Sequence, residues 1–125
     1  MLSQLTNNII SLPFRYPVDP YEDGVVDYYE KVKNPIDLQT MRLRLERGKY
    51  KSKNDFYGDL ELIVSNSRLY HKENPDFLMI TKRFENLITK VRRIYDPKRK
   101  RASKQISYSQ VNKASKNKNK GKNKK

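Results

Sequence analysis

At 125 residues the chain has room for one domain of ordinary size. It has no cysteine, one histidine and four glycines, which excludes disulfides, thiolate metal sites, multi-histidine metal clusters and Gly-rich phosphate loops. Lys and Arg number 28 against 14 Asp and Glu, but residues 1 to 95 hold 16 basic and 13 acidic residues while 96 to 125 hold 12 and one.

The charge therefore belongs mostly to the C-terminal segment. Its only apolar residues are Ala102, Ile106, Tyr108, Val111 and Ala114, too few to offset the entropy of ordering, so residues 96–125 are expected to form a disordered basic tail. The remaining 1–95 are expected to fold as one domain and to bury roughly two thirds of the surface of the unfolded chain. No apolar run approaches a membrane span, and the start MLSQLTNNIISLP lacks a basic n-region and a small-residue cleavage pattern. A soluble intracellular protein without a membrane partner is expected.

In chain order, Leu2, Leu5, Ile9 and Leu12 form a helical stripe that ends at Pro13. Asp37, after Pro35, is a good N-cap for a second helix with Leu38, Met41 and Leu45 on one face and Gly48 as its stop. A third helix starting near Ser52 or Asn54 aligns Phe56, Leu60, Ile63, Ser67 and Tyr70. In the fourth, Asn74 can cap, Pro75 suits the first helical position, and Phe77, Ile80, Phe84, Leu87, Ile88, Val91 and Ile94 make the stripe before Pro97. No segment alternates with period two, so the class is all-α.

The spaces between these helices are as informative. Pro13 to Ile36 is a stretch of about two dozen residues rich in Pro, Tyr and acid, without sustained period. A loop that long inside a small bundle points to function, and Phe14, Val18, Val25, Val26, Tyr28 and Tyr29 give it material to pack. The link HKENP between the third and fourth helices is only a few residues, which makes those helices antiparallel neighbours.

No catalytic constellation emerges, and the protein is expected not to be an enzyme and to need neither cofactor nor metal. The acidic residues lie on amphipathic helices and read as solvated faces. A binding site is easier to build. An acylated lysine presents a flat neutral amide on an apolar stem, and the loop tyrosines with a polar residue at a helix end could form its slot. Composition alone fits equally well with those tyrosines filling core.

The motifs LPFRYPVD at 12–19, DYYEKVKNPIDLQTMRLRLERGKY at 27–50, DF at 55–56 and NSRLYH at 66–71 resemble the bromodomain family in order and spacing. LELIVSNSRLY is similar to bromodomains of the largest subunit of general transcription factor TFIID. The resemblance implies a left-handed four-helix bundle, helices Z, A, B and C, with a long ordered ZA loop and a short BC loop. Its implied function is reading acetylated lysine on histone tails or other acetylated proteins in chromatin and transcription regulation.

Carried over to this sequence, the resemblance makes Leu12, Pro13 and Phe14 the shelf, with a leucine where the family usually has tryptophan. Val18 becomes the wall valine, with Val25 beside it in the loop. Tyr28 is the tyrosine that holds a water against the acetyl carbonyl, Tyr70 the tyrosine at the end of helix B, and Phe77 the gatekeeper. His71 stands where the family usually has the asparagine that anchors the acetyl group. Asparagine offers a donor and an acceptor, whereas neutral imidazole offers one of each on opposite sides of a larger ring. Three readings follow: a weakened anchor that donates through Nδ1, a residue that serves only the helix dipole, or one that blocks the pocket.

A second function class rests on the tail. PKRKR at 97–101, with Lys98, Arg99, Lys100 and Arg101, reads as a nuclear localisation signal or DNA contact. In that reading the bundle is a degenerate scaffold and the tail binds DNA without sequence preference. A nuclear monomer is expected in either case.

Overall fold

Three side chains fix where the long helices begin. Asp37 accepts from the Thr40 amide at 2.9 Å and starts α3 (Leu38–Glu46). Ser52 accepts from the Asp55 amide at 3.2 Å and starts α4 (Lys53–Tyr70). Asn74 accepts from the Phe77 amide at 3.1 Å and starts α5 (Pro75–Tyr95), with Pro75 in the first position as expected. Each satisfies an amide that a helix leaves without an internal partner. α3 stops because Gly48 takes φ +67°, which lets Gly48 and Lys49 return their amides to Leu45 and Arg44.

The N-terminal stripe does not make one helix. It divides into α1 (Leu2–Thr6) and a 3₁₀ helix over Ile9–Phe14. Asn8 captures the Ile10 amide at 2.9 Å, and the Ser11 hydroxyl donates to the Asn8 carbonyl at 2.8 Å, so local side-chain bonds outcompete the α-helical ladder. Leu2 and Leu5 are buried as expected, whereas Ile9 and Leu12 face solvent. The long loop also contains one turn of helix, α2 (Tyr28–Lys31), too short to show periodicity.

The computed structural model describes residues 1–97. The chain divides into a unit Met1–Val91 and a unit Arg92–Lys125. Lys98, Arg99, Lys100 and Arg101, and the tail expected to follow Pro97, lie outside the described residues. Those described are helical with no strand, and no helix among them is long and apolar enough to cross a membrane.

One core serves the bundle. Leu2 and Leu5, Phe14, Leu38 and Met41, Leu60, Ile63 and Val64, and Phe84, Ile88 and Val91 form a single cluster drawn from every long element. Phe84 is fully buried and stacks on Phe14 at 4.4 Å. α4 and α5 run antiparallel: His71 meets Phe77, and four residues back along one helix and forward along the other Ser67 meets Thr81 at 2.6 Å. The Thr81 hydroxyl donates to the Phe77 carbonyl at 2.9 Å, so Ser67 supplies the proton between the two side chains. Leu45 and Ile94, which share the apolar stripes, are exposed, and each lies in the last turn of its helix.

Candidate functional site

The loop between the 3₁₀ helix and α3 is held open by polar bonds at both ends. Arg15 donates to the Asn8 carbonyl at 2.8 Å and accepts the Gln39 amide on its own carbonyl at 2.9 Å. Tyr29 donates to the Val18 carbonyl at 2.5 Å. Asp19 accepts from the amides of Tyr21 and Glu22, and Val25 returns its amide to Pro20 at 2.8 Å. On the other side, Asn66 of α4 is buried and donates to the Asn34 carbonyl at 2.9 Å. The loop cannot collapse onto the helices without breaking these bonds.

Between the loop and the ends of α4 and α5 lies a cavity of about 600 Å³. Of the residues singled out by sequence, Leu12, Pro13, Phe14, Val18, Val25, Tyr28, His71 and Phe77 line it. Tyr70 does not. Its ring lies 5.0 Å from that of Tyr28, and its hydroxyl donates to Asp27 at 2.5 Å, so it packs against the tyrosine that lines the cavity. This bond holds the Asp27 carboxyl below its usual range and pushes Tyr70 up to about 12.

Tyr28 is buried, and its hydroxyl makes no hydrogen bond within the described residues. Burial raises its pKa, so it remains a neutral donor at physiological pH. His71 closes α4, returning its amide to Ser67 at 2.9 Å, and its carbonyl accepts the Asn74 amide at 2.8 Å. The imidazole stacks on Phe77 with ring centres 3.7 Å apart and planes 16° from parallel. Burial lowers its pKa, so the ring is neutral at pH 7 and both nitrogens stay without a partner in the described residues.

Several lining residues were not singled out by sequence: Tyr16, Pro17, Ile36, Ile63, Ser67 and Asn74, with Asp19, Asp23 and Asp37. Ser67 and Ile63 lay on a helical stripe whose pattern cannot separate core from cavity wall. The aspartates are occupied structurally, Asp37 by Thr40 and Asp23 by the Asp19 amide. No Lys or Arg lines the cavity. Among the described residues no cluster of His, Cys, Asp and Glu could hold a metal ion. The chamber is therefore largely apolar and aromatic, with a phenol, a neutral imidazole and three carboxylates among its lining residues. It suits a neutral amide on an apolar stem that is carried by a cationic chain.

The bromodomain family model matches residues 1–83. A bromodomain-containing protein of Schizosaccharomyces pombe, C631.02, is 45% identical over 76 residues, which are 60% of this chain and 10% of the relative. The histone acetyltransferase GCN5 of Yarrowia lipolytica is 36% identical over 95 residues, 75% of this chain and 20% of the acetyltransferase. Transcription factor GTE10 of Arabidopsis thaliana is 40% identical over 77 residues, 62% of this chain and 7% of the factor. The solved structure of the bromodomain from human BAZ1A matches with a TM-score of 0.67 at 27% identity, over 74% of this chain and 84% of that one. The chain spans no more than a fifth of the length of these curated relatives.

The fold is thus that of a binding module rather than an enzyme, a four-helix bundle of the kind that takes acetylated histones and other acetylated proteins. This chain belongs to the bromodomain family.

Proposed function

We propose that the protein is a nuclear, monomeric reader of acetylated lysine on histone tails or another acetylated protein, acting in chromatin or transcription regulation. The observation that carries this reading is the apolar cavity lined by Phe14, Val18, Tyr28, His71 and Phe77, free of Lys and Arg. An acetyl-lysine stem would pass Val18 and Phe77, its methyl would face Phe14, and its carbonyl would approach Tyr28 and His71. The carboxylates of Asp19 and Asp23 among the lining residues favour the basic flanks of a histone tail. With imidazole in place of an amide, one of the two anchoring hydrogen bonds is missing and binding is weak.

Titration calorimetry with a diacetylated histone-tail peptide and its unmodified twin tests this. Binding of the first alone supports the reading, and equal heats from both overturn it. The His71–Phe77 stack favours one alternative, a bundle whose pocket is shut by that pair and which acts as a scaffold while the tail contacts DNA. That alternative predicts no heat from either peptide and tight, salt-sensitive binding of any duplex.

A further inference from the structure

The strongest charge asymmetry on the bundle lies away from the cavity. Residues 42–53 carry Arg42, Arg44, Arg47, Lys49, Lys51 and Lys53 against the single carboxylate of Glu46, and all six cations are exposed. A solvated helix face normally pairs such charges with acids three or four residues away. Here Arg44 alone has a carboxylate partner, Asp59 at 2.8 Å. The other five have no ion pair within the described residues. The stretch 14–37 around the cavity has the opposite balance, six carboxylates to three cations.

Chain direction separates the two regions. α3 begins at Asp37, on the cavity wall, and its nine residues carry the chain about 14 Å away before Gly48 turns it. α4 then needs 18 residues, about 27 Å, to return to His71. The far end holds its own cleft of about 600 Å³, with Arg44, Arg47, Lys49 and Tyr50 among its walls. Its carboxylates are already engaged: Asp59 accepts from Arg44 and from the Tyr50 hydroxyl at 2.7 Å, and Asp55 accepts the Lys51 amide at 3.1 Å. Arg47 and Lys49 are left facing the cleft as unpaired cations.

We propose that residues 42–53 form a second binding surface that takes the phosphate backbone of duplex DNA, while the cavity at the opposite end holds an acetylated tail. The surface rests on charge and geometry alone. The choice of duplex DNA also rests on the proposed reading, because a histone tail arrives tethered to DNA. Two weak attachments to one particle reinforce each other through effective concentration.

The test uses the full chain, ¹⁵N-labelled, with a duplex of arbitrary sequence. Amide shifts are expected across 42–53, separate from any in the segment after Tyr95. The variant R42Q/R47Q/K49Q/K51Q spares Arg44 and removes no hydrogen bond that holds the fold. It should lower DNA affinity at least tenfold at physiological salt, and reduce the slope of log affinity against log salt by about 3 to 4, since each phosphate left unneutralised lowers that slope by about 0.9. Shifts confined to residues beyond Tyr95, with parent-like affinity and slope in the variant, would overturn the proposal. So would tighter binding of duplex RNA by the same residues. Acetylated peptide should bind the DNA-loaded protein undiminished, and competition between the two would contradict the two-ended geometry. If the peptide fails to bind even without DNA while the 42–53 shifts persist, the reader function falls and the phosphate surface stands.

Discussion

Replacing His71 with asparagine restores the donor and acceptor that a buried acetamide requires, and the structure supplies both sides of the balance. The imidazole stacks on Phe77 at 3.7 Å, an interaction worth about 0.5–1.5 kcal/mol beyond its buried area, so His71→Asn should cost the unliganded bundle about 1 kcal/mol. In the complex, the recovered hydrogen bond contributes on the order of 1 kcal/mol, and an acetamide group no longer buried without a partner adds a similar amount. Net of repacking at Phe77, acetyl-lysine affinity should rise about tenfold, or about 1.4 kcal/mol. The pH dependence has a definite sign. Burial holds the folded pKa of His71 below its ordinary 6.5, so the stability carried by the neutral ring is fully present above pH 6.5 and is lost as pH falls through the depressed value. Ligand buries the ring further, so the parent's affinity should drop on acidification while the asparagine variant stays flat. Calorimetry on both proteins at pH 7.5 and 5.5 measures all of this. No gain from the substitution at pH 7.5 would refute the role assigned to His71 and leave a pocket closed by Leu12, Phe77 or the loop.

Tyr28→Phe should weaken acetyl-peptide binding by several-fold, in keeping with about 1 kcal/mol for one hydrogen bond, with a Tm near the parent's, because the hydroxyl bonds to nothing else in the described residues; a large fall in Tm with unchanged affinity would make it ordinary core. Phe84→Ala should cost about 3–5 kcal/mol in urea unfolding, since the ring is fully buried and stacked on Phe14, and should loosen ligand binding by freeing Phe14 from the cavity wall. Tyr70→Phe removes the bond to Asp27. The stability from that bond is present above pH 3.8, the ordinary carboxyl value, and is lost as pH falls through the lowered folded value. The variant's acid unfolding curve should therefore be flatter there, and identical curves would show the bond to be inert.

The sequence marked the architecture through features with one physical meaning each. Asp37, Ser52 and Asn74 cap helices because a short polar acceptor before an apolar stripe has few other uses, and Gly48 is where the chain needs positive φ. The N-terminal stripe misled because hydrophobic spacing cannot register the competing bonds of Asn8 and Ser11, which break the helix between Leu5 and Ile9. Most of the cavity wall came from the family resemblance, since composition could not tell a lining tyrosine from a core one. Tyr70 shows that limit: it lies on the stripe of α4, but a partner 43 residues away in sequence, Asp27, draws its hydroxyl from the cavity. The His71–Phe77 stack was equally hidden, because it depends on how the turn at 71–74 folds the end of α4 onto the start of α5.

The decisive observation is where an acetyl group goes when it meets this protein. With a histone-tail peptide carrying a ¹³C-labelled acetyl methyl, intermolecular NOEs should run from that methyl to Phe14 and to the methyls of Val18, and from the lysine stem to Phe77. The same peptide without acetylation should give none. NOEs absent from the cavity at saturating peptide, or found only on the basic surface of residues 42–53, would contradict the reading of this bundle as an acetyl-lysine receptor.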